Sequence, residues 1–135
     1  MNSQINFRGN VMIRTICAVL VLGLTTPVIT TALADTLKLA STYDEVGTNA
    51  DGSKYTGTAT VEVISDTTFS IKWKIGSTVY SGFGMRRGDT LAATYQVNGQ
   101  PGLIVYTVGD GGVLTGNWSI RGENGNGTDR LTPRN

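Results

Sequence analysis

Thr68-Phe69-Ser70-Ile71-Lys72-Trp73-Lys74-Ile75 is the stretch that decides the fold. Its apolar residues stand at 69, 71, 73 and 75, its polar ones at 68, 70, 72 and 74. Successive side chains of a strand point to opposite faces, so a period of two gathers all four apolar groups on one side of a sheet. The face with Lys72 and Lys74 is left to water, as an antiparallel sheet allows.

The same alternation recurs on either side. Tyr55, Gly57, Ala59, Val61 and Val63 oppose Thr56, Thr58, Thr60 and Glu62, and Leu91, Ala93, Tyr95 and Val97 oppose Thr90, Ala92, Thr94 and Gln96. No window shows the sustained i, i+3, i+4, i+7 spacing of a helix. Turn residues separate the runs, among them Asp51-Gly52, Gly76-Ser77, Gly88-Asp89, Asn98-Gly99 and Asp110-Gly111. Such steps supply the positive φ that tight hairpins need. About eight strands are predicted, near 36–46, 55–64, 68–75, 78–85, 90–97, 102–108, 113–121 and 128–132. Short connections at regular spacing predict an all-β antiparallel meander, closed as an up-and-down barrel or folded as a barrel-like sandwich of calycin or avidin type.

A weak repeat supports the meander. Phe69-x-x-x-Trp73-x-Ile75, Leu91-x-x-x-Tyr95-x-Val97 and Leu114-x-x-x-Trp118-x-Ile120 share one pattern. One hairpin separates each from the next, so alternate strands should present an apolar, an aromatic and a second apolar residue to the same side. Tyr80-x-Gly82-x-Gly84 leaves one strand face bare beside a tyrosine, the mark of curvature or of close approach by another group.

The first 34 residues differ from the rest. Arg8 and Arg14 precede the apolar run Ile16 to Leu24, and the segment ends in Ala32-Leu33-Ala34. A basic start, a short apolar centre and small residues before the junction are the parts of a cleavable export signal. The run is too short to span a bilayer, which takes roughly 20 apolar residues. The reading is therefore a signal peptide over 1–34, from Met1 or Met12, and one domain over 35–135, periplasmic or secreted, with no membrane span once the signal is cleaved.

Composition narrows the chemistry. The one cysteine, Cys17, lies in the signal segment, and the chain has no histidine. The domain would therefore have no disulfide, no Ser–His or Cys–His catalytic pair and none of the commonest transition-metal ligand. Without the signal the chain keeps nine basic and ten acidic residues. That balance and the absence of a basic stripe argue against nucleic-acid binding. Asp44-Glu45 is no acid–base pair, because neighbours on a strand face opposite ways. The oxygen-rich segments 49–53 and 123–129 match no calcium-loop spacing and read as turns. No catalytic residue, metal site or cofactor is expected.

The aromatic set Tyr55, Trp73, Tyr80, Phe83, Tyr95, Tyr106 and Trp118 carries the remaining information. It could line a ligand cavity at a barrel mouth, with Tyr55, Trp73, Tyr80, Tyr95 and Trp118 as ligand-binding residues. Plain packing of a small interior accounts for the same residues and is the simpler expectation.

Val46-Gly47-Thr48-Asn49-Ala50-Asp51-Gly52-Ser53-Lys54-Tyr55-Thr56-Gly57 resembles a signature of small exported alphaproteobacterial proteins, often labelled fibronectin-binding proteins. The likeness continues through Trp73-Lys74-Ile75-Gly76, Tyr80-Ser81-Gly82-Phe83-Gly84, the stretch from Val105 to Trp118, and Leu131-Thr132-Pro133. Ala50 stands where the signature usually has proline, and the Asp110-Gly111 turn carries an extra glycine. The resemblance implies a non-enzymatic envelope or secreted module that binds a protein or envelope component, and it brings no catalytic residues. A looser likeness to avidin-type and lipocalin-type barrels implies the alternative, a carrier of a small apolar molecule. A carboxylate-based hydrolase stands third.

Overall fold

The computed structural model describes residues 38–134. The expected signal segment and its junction near Ala34 lie outside the described residues. Eight strands run in chain order: β1 Thr42–Thr48, β2 Lys54–Val63, β3 Thr68–Ile75, β4 Thr78–Arg87, β5 Thr90–Val97, β6 Gln100–Val108, β7 Leu114–Ile120 and β8 Gly127–Pro133. Each pairs antiparallel with the next, and β8 pairs with β1, so the sheet closes into a barrel and not a sandwich. At the closing seam Tyr43 lies opposite Pro133, Glu45 opposite Leu131 and Gly47 opposite Asp129.

The expected inner faces of β2, β3 and β5 turn inward. The repeat becomes three levels of the interior. Phe69, Leu91 and Leu114 are fully buried at one end, Trp73, Tyr95 and Trp118 stand at mid-height, and Ile75, Val97 and Ile120 edge the opposite mouth. Tyr43, Ile71, Tyr106 and Leu131 complete the filled half, and Leu39 and Ala40 pack against it.

β3 and β5 keep the bounds of the sequence reading, the others shift by one or two residues at an end, and the start of β1 shifts by six. β1 starts at Thr42, not near 36, because the described residues ahead of it serve the filled end: the Ala40 amide donates to the Tyr43 hydroxyl at 2.9 Å. β4 runs on to Arg87. Val63, at the last position of β2, is exposed although its row faces inward.

Large inner rings fit because many lie on the bare backbone of a glycine in the adjoining strand. Tyr55 lies on Gly47, Phe69 on Gly84, Tyr95 on Gly102 and Trp118 on Gly127. Each of these pairs is in direct register. A Cβ at Gly127 would overlap the Trp118 indole. The taper of the barrel is thus filled by alternating the largest and smallest residues round its wall.

On the outside, Arg134 Nε donates to Asp44 Oδ1 at 2.6 Å, and the pair is about half exposed. Solvent screens such a pair, so Asp44→Asn should change unfolding free energy by less than about 1 kcal/mol in urea titrations.

Candidate functional site

The half of the barrel away from the packed end is hollow. A cavity of about 560 Å³ opens there, beneath the loops of residues 49–53, 98–99 and 121–126. Tyr55, Trp73, Tyr80, Tyr95 and Trp118, the five residues singled out as candidate ligand contacts, all line it. Core packing accounts for only part of this set, since Trp73 is buried while Tyr80, Tyr95 and Trp118 are partly exposed. Phe83 and Tyr106 fall elsewhere. Phe83 points outward from β4 and is exposed, and Tyr106 is fully buried in the packed half.

The rings are fixed by contacts with one another. Trp73 and Tyr95 meet edge to face with centroids 5.6 Å apart, and Tyr55 and Trp118 lie tilted at 6.5 Å. Trp118 Nε1 donates to the Tyr55 hydroxyl at 2.9 Å, and that hydroxyl donates to the Thr128 carbonyl at 3.2 Å. Trp73 Nε1 donates to the Tyr106 hydroxyl at 2.9 Å, which donates to Asp129 Oδ2 at 2.5 Å. Every indole N–H is therefore satisfied inside the barrel, as burial of such a donor requires.

Two carboxyl groups form part of the cavity wall between the aromatic level and the packed half. Glu45 on β1 is 2% exposed and Asp129 on β8 is 4% exposed. They are diagonal neighbours across the seam, on the same inner face. Glu45 Oε2 and Asp129 Oδ1 are buried and accept no hydrogen bond from the described residues. Burial pushes the Glu45 carboxyl up to about 8, and the negative charge of Asp129 adds to the rise. Burial also raises Asp129, to about 6, against the hydrogen bond from Tyr106, which favours its ionised form. At neutral pH the pair thus holds roughly one proton, on Glu45. Desolvation raises the phenols of Tyr55 and Tyr106, which stay protonated donors.

Rejecting Asp44-Glu45 as a pair was right in geometry, since Asp44 faces solvent and Glu45 the interior. The reading missed that Glu45 has another partner in Asp129. The signal was an acid in each inward row: Tyr43-x-Glu45-x-Gly47 and Gly127-x-Asp129-x-Leu131. In the 49–53 loop, Asp51 Oδ1 accepts from the Ser53 amide and hydroxyl, and Asn49 donates to Ser53, so these oxygens close the turn. Among the described residues no three acidic, histidine or cysteine side chains gather as a metal set.

No family model and no curated protein matches the chain. Solved structures do. A redesigned β-barrel superposes with a TM-score of 0.58 at 20% identity, over 76% of this chain and 95% of that one. A de novo designed fluorescence-activating β-barrel superposes at 0.57 and 15% identity, over 73% and 96%. At such identities the likeness is one of fold: the chain forms a closed, eight-stranded, antiparallel β-barrel.

Proposed function

We propose that the protein is a non-enzymatic binder that holds a small, mostly apolar molecule in the hollow half of its barrel. The carrying observation is the open cavity of about 560 Å³ walled by Tyr55, Trp73, Tyr80, Tyr95 and Trp118. Small-molecule sites are concave, of roughly 300–1,000 Å³, mostly apolar, with a few fixed polar groups. The packed half supplies a rigid base, and the buried carboxyls supply the polar groups. With the export expected from residues 1–34, the ligand would be met in the periplasm or outside the cell.

Glu45 and Asp129 are read as anchors and not as an acid and base. They sit on adjacent strands, on one side of the cavity. Hydrolysis of a glycosidic bond needs its two carboxyls to flank the bond.

The neutral naphthalene dye Prodan tests the binding reading. Energy transfer from Trp73 and Trp118 should show saturable one-to-one binding. Ile120→Trp, which fills the mouth, should weaken it about tenfold or more with the circular dichroism unchanged. Absence of saturable binding, or binding indifferent to Ile120→Trp, would sink the cavity reading. Native mass spectrometry of protein from its own host should show an extra mass of a few hundred daltons that is lost on unfolding.

A second reading has its own observation. Phe83, Met85, Leu103 and Val105 are exposed on the outer face of β4–β6, where Phe83, Thr94 and Leu103 align across three strands, as do Met85, Ala92 and Val105. Contiguous apolar surface marks docking sites, and this face supports the interaction with an envelope or extracellular protein that the sequence resemblance implies.

A further inference from the structure

We infer that the cavity takes a protonated amine on an aromatic or apolar body, its N–H donors on Glu45 and Asp129 and its body along Tyr55, Trp73, Tyr95 and Trp118. This rests on the ligand-binding reading above and names the chemical class of that ligand.

Three independent observations converge on a cation with N–H groups. The first is the pair of buried, unpartnered acceptors, Glu45 Oε2 and Asp129 Oδ1, on side chains 2% and 4% exposed. A buried carboxylate oxygen without a donor is costly, and an ammonium brings both the donors and the opposite charge. A quaternary ammonium brings only the charge, and an alcohol only one donor.

The second is the sign of the cavity. Its charged lining residues are Glu45, Asp51, Glu123 and Asp129, all acidic, with no lysine or arginine among them. Facing the two buried carboxyls are Tyr55 from β2, Trp73 from β3, Tyr95 from β5 and Tyr106 from β6, all neutral. The chain as a whole is nearly neutral, so the one-signed field belongs to this cavity. Such a concave, low-dielectric surface concentrates cations and excludes anions.

The third is the wall. The faces of tryptophan and tyrosine carry negative quadrupole density and attract cations within about 6 Å. Apolar ligands alone would be served equally by aliphatic residues, which here are confined largely to the rim, at Ile75, Val97 and Ile120.

Entry of the ammonium has a defined proton balance. Near pH 7 Glu45 carries a proton and Asp129 is largely ionised. A protonated amine that engages both carboxylates expels the Glu45 proton to solvent, so one cation enters and one proton leaves. An alkylamine keeps its own proton up to about pH 10. Affinity should therefore rise from pH 6 to pH 8.5.

Isothermal titration with tryptamine, its neutral isostere tryptophol and the anion indole-3-propionate separates these terms. At pH 8.5 tryptamine should bind about tenfold or more tighter than tryptophol, with indole-3-propionate weakest. Tryptamine should gain affinity from pH 6 to 8.5, and at pH 7 its binding heat should depend on the buffer's ionisation enthalpy in the sense of proton release. In Glu45→Gln/Asp129→Asn, tryptamine and tryptophol should converge and proton release should vanish, with the circular dichroism unchanged. Equal or tighter binding of tryptophol to the unaltered protein, or an amine preference that survives the double substitution, overturns the inference. Prodan binding to the unaltered protein keeps that failure distinct from failure of the cavity reading.

Discussion

Glu45→Gln should stabilise the barrel at pH 8.5 by about 2–4 kcal/mol and change it little at pH 4. Glutamine has nearly the shape of protonated glutamic acid but cannot ionise. In the folded chain burial raises the Glu45 carboxyl to about 8, against 4.5 for the free group. A carboxyl raised on folding holds its proton more tightly in the native state. Its contribution to stability is complete below pH 4.5 and is lost progressively as pH climbs to about 8. Asp129 behaves alike over a lower window, from 3.8 to about 6. The unaltered protein should therefore lose stability between pH 4 and 8.5, and Glu45→Gln should remove the upper part of that slope, leaving the part due to Asp129. Urea titrations at pH 4, 6 and 8.5 measure it. A flat profile in the unaltered protein, or a Glu45→Gln variant that gains nothing at pH 8.5, would show that the carboxyl is better solvated than its burial implies. A residue kept at a cost in stability fits a ligand anchor, since binding sites often sacrifice stability for function.

The second large effect lies in the packed half. Gly116→Val should cost about 3 kcal/mol or more and lower the melting temperature by about 12 °C or more. A Cβ at Gly116 would stand 2.6 Å from the Tyr106 ring and 2.6 Å from the Val105 carbonyl oxygen, and the ring is too deeply buried to move aside. Shifting Tyr106 would also loosen its bonds to Trp73 and Asp129. Glycines lying under no ring make the control. At Gly109 an added Cβ meets only the Val113 carbonyl at 3.6 Å, so Gly109→Ala should melt within a few degrees of the parent. Calorimetry on the three proteins decides it, and equal melting temperatures would refute the account of rings seated on glycine.

The architecture was legible because strands leave a local record. Alternation within β2, β3 and β5 names the inward residues without knowledge of any partner strand, and Gly-containing turns mark where the chain reverses. β1 was misplaced for a local reason too: Leu37-Lys38-Leu39 alternates like a strand, yet Leu39 packs on the barrel's end. The five aromatic residues could be named, but not the void they enclose. Whether rings fill or line an interior depends on how they lie against neighbouring strands, and here Gly47, Gly82, Gly102 and Gly127 in the adjoining strands let them lie flat along the wall. The carboxyl pair was least legible, since its members come from opposite ends of the described chain and meet only through closure.

That closure has a kinetic consequence. β1 and β8 form the pairing with the longest intervening chain, so the seam carries the largest loop-closure entropy of any strand pair in the barrel. The same step brings Glu45 beside Asp129. Above about pH 8 it brings together two ionised groups with no cation between them, so seam zipping should slow as the solution becomes alkaline. A bound cation would lift that barrier and latch the first strand to the last, making ligand capture and the sealing of the barrel a single event.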